Sequence, residues 1–329
     1  MRIIKFLIIF LLGSQQYSVS AELINLGLSN TVKKHGQLTV DEKHLTDQFG
    51  KQVQLRGVSS FWLNWIGEFS NPSSIKTLKD EWGINIFRAA MGVEAEFGYL
   101  EDPVAMVTKV ESLIQTCIKQ DLYIIVDYHS HDAHKDLKAA QKFFAYIAKK
   151  YGKYPNIIYE IWNEPLKISW DDEIKPYMEE VIKTIRRYDK KNIILVGSPY
   201  WCQHVSDAYE NPVKDNNVMY TTHFYTGSAG ETRRQEIERL WQNGCPIFVS
   251  EFGVSIYDGG TLDRKVYLEE ADRWIDWMND RNISWVAWSL CDKNESSALL
   301  SPGSPKNGSW KDGDLSKAGR YIKTRLRLK

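Results

Sequence analysis

After Leu12 this 329-residue chain has no long apolar run, so nothing beyond that point is suited to cross a bilayer as a helix. Charge of one sign is also missing. Lys plus Arg and Asp plus Glu each number 42, which removes the electrostatic case for a nucleic acid or an anionic membrane as partner. Cysteine is scarce: Cys117, Cys202, Cys245 and Cys291 have no zinc-site spacing. No low-complexity stretch or Pro/Ser-rich linker divides the chain, and no Gly-rich phosphate loop follows the first strand. That last absence counts against a dinucleotide-binding open sheet.

The N-terminus reads as a secretory signal over residues 1–21. Arg2 and Lys5 form the positive region, Phe6 to Leu12 the apolar one, and Val19-Ser20-Ala21 precedes a cut before Glu22. Cleavage would remove two basic residues and no acidic one, and would leave a secreted, extracellular protein with no membrane attachment. Secretion permits disulfides. Three full pairings are open, and Cys202 and Cys291 both follow strand ends, where a bridge between them would fit. Residues 22–329 are expected to form one domain.

Residues 35–54 suggest a small β-hairpin. Strands then alternate with helices. The strand candidates are Val53–Val58, Ile84–Ala90, Leu122–Tyr128, Ile157–Trp162, Ile193–Val196, Val218–His223, Ile247–Glu251 and Ile283–Leu290. Helical stretches fall at 73–82, 102–119, 135–151, 173–188, 231–243, 262–279 and about 315–326. Within 102–119, Val104, Val107, Val110, Leu113, Ile114 and Cys117 recur at helical spacing. Such alternation predicts a parallel sheet, and eight units predict an α/β fold of the (β/α)8 TIM-barrel type behind a short N-terminal β-hairpin.

In such a barrel, chemistry sits where strands end. The strand ends carry Arg88, His129, Asn163, Glu164, Trp201, His223, Tyr225, Glu251 and Trp288. Glu164 and Glu251 each close an apolar run, in Ile157-Ile158-Tyr159-Glu160-Ile161-Trp162-Asn163-Glu164-Pro165 and Ile247-Phe248-Val249-Ser250-Glu251-Phe252-Gly253. Two carboxylates at strand ends facing one cleft are the equipment of glycoside hydrolysis by an acid and a nucleophile. Arg88 is their natural charge partner. Strict alternation would put Asn163 and Glu164 on opposite faces, so both reach the cleft only if the strand breaks before Pro165. Glu160, on the face of Glu164, is expected to be an interior polar partner of another barrel residue. His131 lacks a regularly spaced third ligand, so no metal is expected.

Asn-Glu-Pro after an apolar strand, with Val-Ser-Glu-Phe-Gly later, resembles glycoside hydrolase family 5 and its bacterial-type endoglucanases. His35-Gly36-Gln37-Leu38, Gln54-Leu55-Arg56-Gly57-Val58-Ser59, His223-Phe224-Tyr225 and Asp292-Lys293-Asn294-Glu295-Ser296-Ser297-Ala298 agree in order. The resemblance runs from about His35 to the C-terminus. It implies a general acid/base at Glu164, needing a raised pKa, and an ionised nucleophile at Glu251. It further implies that Arg88 supports Glu251, that Asn163 binds the sugar 2-hydroxyl, that His129 and His223 line the cleft, and that Tyr225 donates to Glu251. Trp65, Trp201 and Trp288 would be sugar platforms, with Lys293 and Glu295 bonding a more distant sugar. Trp62, Trp82, Trp162, Trp274 and Trp277 read as core. Phe61 and Ala229 depart from the pattern, since many relatives carry histidine at both positions.

The expected activity is a retaining endo-β-1,4-glucanase acting on cellulose or β-glucan. The alternatives are β-mannanase, xylanase or xyloglucanase on the same fold, and a non-catalytic carbohydrate-binding protein. Two carboxylates and preorganised hydrogen bonds suffice, so no cofactor is expected. The sequence also suggests a monomer without a carbohydrate-binding module, better suited to soluble or amorphous glucan than to crystalline cellulose.

Overall fold

The computed structural model describes residues 31–328; the signal expected over residues 1–21 lies outside them. Strands β1 (Thr39–Asp41) and β2 (His44–Thr46) pair antiparallel as the hairpin. The barrel follows as β3 (Arg56–Ser60), β4 (Ile86–Gly92), β5 (Tyr123–His129), β6 (Ile157–Glu160), β7 (Ile194–Val196), β8 (Val218–Tyr225), β9 (Ile247–Gly253) and β10 (Trp285–Leu290). These eight strands run parallel in sequence order and close where β10 pairs with β3. The chain is a (β/α)8 barrel.

β4 and β5 are buried along all seven residues, as strands covered by helices outside and by their own barrel inside must be. Leu55, Ile86, Tyr123, Ile125, Ile158, Leu195, Phe248 and Val286 fill the lower interior, with Leu38, Leu45 and Val53 from the hairpin segment. The hairpin closes the end where strands begin. Tyr123 Oη donates to the Gly36 carbonyl (2.8 Å), and Asn217 Oδ1, just before β8, accepts the Val40 amide (2.7 Å). Among the described residues, no helix is long and apolar enough to cross a membrane.

Helix Pro103–Gln120 begins with proline in its first turn and with Asp102 Oδ1 accepting the Ala105 amide. It buries Met106, Val110, Leu113, Ile114 and Cys117, whereas Val104, expected on this face, is 77% exposed. The helix expected over 262–279 begins only at Leu268. Asp258 accepts the amides of Gly260 and Leu262, and Asp263 accepts that of Lys265. These local bonds hold the preceding segment in turns. The bridge entertained between Cys202 and Cys291 is not formed: all four cysteines are free and buried. The Cys202 thiol instead donates to the Asn163 carbonyl (3.0 Å), and Cys291 lies beside Ser289.

Candidate active site

Arg88 organises the upper end of the barrel. Fully buried on β4, its guanidinium donates to Glu160 Oε2 (2.6 Å), Glu251 Oε2 (3.0 Å) and Asn163 Oδ1 (2.6 Å), and pairs with Asp127 Oδ2 (3.0 Å). One rigid fork thus ties groups on or just beyond β5, β6 and β9, a use that suits arginine. Burial works against its charge, but Asp127, Glu160 and Glu251 outweigh burial and hold Arg88 firmly protonated. Glu160 is the interior partner expected of it. Burial raises it, and the Arg88 cation then brings it below its ordinary value.

β6 ends at Glu160, so Asn163 and Glu164 lie beyond the regular strand. Their amides bond the Tyr128 and Ser130 carbonyls, and both side chains turn into the cleft. Glu164 Oε1 is bonded by His223 Nδ1 (2.9 Å), and Glu164 Oε2 by His131 Nε2 (3.3 Å). Glu251 Oε1 accepts the Tyr225 hydroxyl (2.7 Å). At least one oxygen of Glu164 and one of Glu251 lie within 4.8 Å of each other and of a His223 nitrogen. The Glu164 and Glu251 oxygens are already bonded by His223, His131, Tyr225 and Arg88, which marks a proton-sharing cluster.

The electrostatics of the two carboxyls reverse the order expected from the sequence. Burial raises Glu164, but the bonds from His131 and His223 overcome it and hold the group down at about 2. Burial raises Glu251, and the nearby Glu164 adds to the rise against His223, Arg88 and Tyr225. On His223 both nitrogens carry hydrogen, since Nδ1 bonds Glu164 and Nε2 bonds a Ser250 hydroxyl that itself donates to Glu160. Burial opposes charge on His223, yet Cys202, Glu160 and Glu164 push it well above the usual histidine value. His129 goes the other way: burial and then Arg88 keep it neutral. It shares a 2.6 Å bond with Asp127, which burial drives well up.

Two cavities meet at Glu164. One, of about 490 Å³, is lined by Trp201, Gln203, Tyr225, Arg233 and Tyr257. The other, of about 210 Å³, contains Glu251 and is lined by Trp62, Trp65, Trp288, Lys293 and Glu295. The structure therefore brings every expected site residue to this end of the barrel. Trp288 lies parallel to the His129 ring, with centroids 5.4 Å apart. The Lys293 ammonium meets Glu295 at 2.7 Å and stands 5.0 Å from the Phe61 ring centre. Trp201 reaches its cavity from a turn in which Tyr200, Trp201 and Cys202 all have positive φ, near 56–58°. Such conformations cost L-residues energy and cluster at functional sites.

Trp62 corrects the sequence reading. It is half-buried, stacks on Trp65 (4.8 Å) and sets its edge against His129 (4.2 Å), so it belongs to the cleft rather than the core. His131, Asp127 and Tyr257 were not among the expected site residues. Asp127 had a readable signal, since it shares a strand face with His129. His131 stood two residues past a strand-end histidine. Tyr257 sits in an irregular loop and had none.

Residues 46–294 match the model of the family Cellulase (glycosyl hydrolase family 5). Endoglucanase 5 of Pectobacterium carotovorum subsp. carotovorum is 42% identical over 300 residues, which cover 90% of this chain and 58% of that protein. Endoglucanase N of Pectobacterium atrosepticum is also 42% identical, over 90% of this chain and 66% of its own length. The chain thus spans less than two thirds of these relatives. The catalytic domain of a Thermobifida fusca endoglucanase superposes with a TM-score of 0.86 at 33% identity, covering 91% of this chain and 99% of that one. A variant of that domain is known in complex with cellotetraose.

Proposed function

The chain belongs to glycosyl hydrolase family 5, and on that premise we propose that it is a retaining endo-β-1,4-glucanase. The observation that carries the reading is the Glu164–Glu251 pair, with oxygens within 4.8 Å. A nearest-oxygen separation below 4.8 Å is in keeping with the ~5–5.5 Å between the carboxyls of retaining enzymes and shorter than the ~6.5–9.5 Å of inverting ones. Glu251 attacks the anomeric carbon while Glu164 protonates the departing oxygen. The resulting glycosyl ester on Glu251 is then hydrolysed by a water that Glu164 deprotonates. An upward-shifted Glu251 is a more basic, hence stronger, nucleophile once ionised. Arg88 and Tyr225 hold its two oxygens in place.

The glycone occupies the smaller cavity, because that one contains Glu251; the leaving chain lies in the larger, which Glu164 reaches without Glu251. Trp65 and Trp288 offer flat faces to sugar on one side of the bond and Trp201 on the other. Asn163, fixed by Arg88, holds the 2-hydroxyl as charge develops. Lys293 and Glu295 bond a sugar farther along. We further propose that residues 22–329 act as one secreted, monomeric catalytic domain after removal of residues 1–21.

The test is the release of new reducing ends from carboxymethylcellulose, mannan and xylan, with Glu251→Gln as control. Cleavage of the cellulose derivative, lost in the variant, is the expected result, with a β-anomer formed first. Preference for mannan or xylan moves the substrate and keeps the mechanism. A first-formed α-anomer sinks retention.

A further inference from the structure

Glu164 raises a difficulty for the acid step. A carboxyl that two imidazoles bond and hold low is anionic when the cleft holds only water, yet bond cleavage needs it protonated. The proton must come from a neighbour able to release it, and the two histidines differ in that respect. The His223 ring is 2% exposed, and both of its nitrogens are engaged. Nδ1 bonds Glu164, and Nε2 bonds Ser250 Oγ (2.8 Å), whose hydroxyl donates to Glu160. It is a fixed cation between two carboxylates. The His131 side chain is 34% exposed, borders both cavities and holds Glu164 Oε2 by the longer bond of 3.3 Å.

We propose that His131 stores the proton for Glu164 and hands it over when a sugar fills the cleft, making it a positioning residue for the acid step. Before binding, the pair is imidazolium and carboxylate. Sugar displaces water, and a drier site disfavours two separated charges relative to two neutral groups. The proton then moves from His131 Nε2 to Glu164 Oε2. Glu164 passes it to the glycosidic oxygen as the C–O bond breaks and the bond to Glu251 forms. In the second half-reaction, the attacking water returns a proton to Glu164, and release of product restores the ion pair. The proton count is the same at the start and end of each turnover.

The groups facing His131 fit this role. Glu164 and Glu251 face it from the ends of β6 and β9, and Glu94 Oε1, in the loop after β4, accepts its backbone amide (2.8 Å). His129 lies on its own segment, His223 lies across Glu164, and Asp132 next to it is paired with Lys135. Burial lowers His131, but Glu164, then Glu94 and Glu251, raise it above the usual histidine value. The pair keeps its shared proton until His131 titrates, so the alkaline limb of kcat/KM belongs to the pair and lies above the ordinary histidine range.

The inference rests on the reading of Glu164 as acid/base, and the experiment separates the two. The pH profile of kcat/KM is measured on cellotetraose and on 2,4-dinitrophenyl β-cellobioside, whose leaving group needs no acid. His131→Gln should move the alkaline limb acidward by about one unit or more on cellotetraose. Its rate at neutral pH should fall about tenfold or more there, and stay within about threefold of wild type on the dinitrophenyl substrate. Glu94→Gln leaves the imidazole in place and should shift the limb the same way by less, which keeps the test open if the first variant folds poorly. An unmoved limb in both variants, or an equal loss on both substrates at every pH, overturns the proposal. A wild-type protein inactive on both substrates overturns the hydrolase reading instead.

Discussion

On β4, β5 and β6 the lower inward positions are Ile86, Ile125 and Ile158, and a step of two residues along each strand reaches Arg88, Asp127 and Glu160. The face is the same, and only the layer changes. The lower layer is apolar and sealed by the hairpin. The upper one places Asp127 and Glu160, together with Glu251, around one buried cation, an arrangement that costs desolvation energy and serves stability poorly. The contrast teaches that this barrel separates its two tasks by height: the end where strands begin holds the fold together, and the end where they finish bears the strain of chemistry.

The sharpest way to test that separation is at Glu251. Glu251→Gln should reduce glucan hydrolysis by about 10³-fold or more, since no other group in the cleft is placed to form the ester. Folding stability at pH 7 should not fall. The carboxyl of Glu251 is raised in the folded state, so its charged form costs stability at neutral pH, and that cost disappears on acidification or with the neutral amide. Thermal melts of the two proteins across pH 4–8 check this (a range bracketing the ordinary carboxyl value of about 4.3 and the His value of about 6.5). A variant that loses both activity and stability would show that the upper layer also carries the fold.

Arg88→Met is the substitution that should injure both ends at once. It leaves Asp127, Glu160 and Glu251 buried without their counter-charge, and breaking a buried pair from one side costs about 3–5 kcal/mol. Urea denaturation should show the loss, and hydrolysis should fall to background because Glu251 and Asn163 lose their shared anchor. Adding Glu160→Met should recover part of the stability and none of the activity.

How much of this could be read from the chain follows the same division by height. All eight barrel strands were legible, because buried parallel strands are continuous apolar runs; the strands lie within a few residues of their expected positions. Glu164 and Glu251 stood out because a charged residue closing such a run is costly, and Arg88 because it interrupts one, inside β4. Trp62 did not, since an aromatic residue looks the same in a core and in a cleft until its neighbours Trp65 and His129 are seen. Nor did the order of the two carboxyls, which depends on two histidines from β8 and from the loop after β5 meeting one side chain. No spacing along the sequence encodes that encounter.

Tyr225 offers a milder test of the upper end. Tyr225→Phe removes the hydroxyl that donates to Glu251 Oε1 and keeps the ring. A hydrogen bond to a charged group is worth about 1.5–3 kcal/mol, so kcat should drop by about ten- to a hundred-fold. Substrate affinity should change little if the bond orients Glu251 rather than the sugar. A rise in KM with kcat preserved would move Tyr225 from the nucleophile to the substrate.

The smallest expected effect lies in the layer below. Ile158→Val deletes one buried methylene from the lower interior, where Ile158 is fully buried among Ile125, Leu195 and its neighbours. Such a deletion costs about 0.5–1.5 kcal/mol. The urea midpoint should fall with the slope unchanged, because the folded barrel and the unfolded chain keep their exposed areas. Both kcat and KM should be those of the wild type, although Ile158 is only two residues from Glu160 and the Arg88 cluster. Close-packed interiors transmit strain, so this outcome is not guaranteed by distance alone. It follows from the rigid fork of Arg88, which fixes Asn163 and Glu251 relative to each other whatever small settling occurs beneath. A matching fall in kcat would mean that the apolar layer sets the height of the charged one, and the two ends would then have to be treated as a single unit.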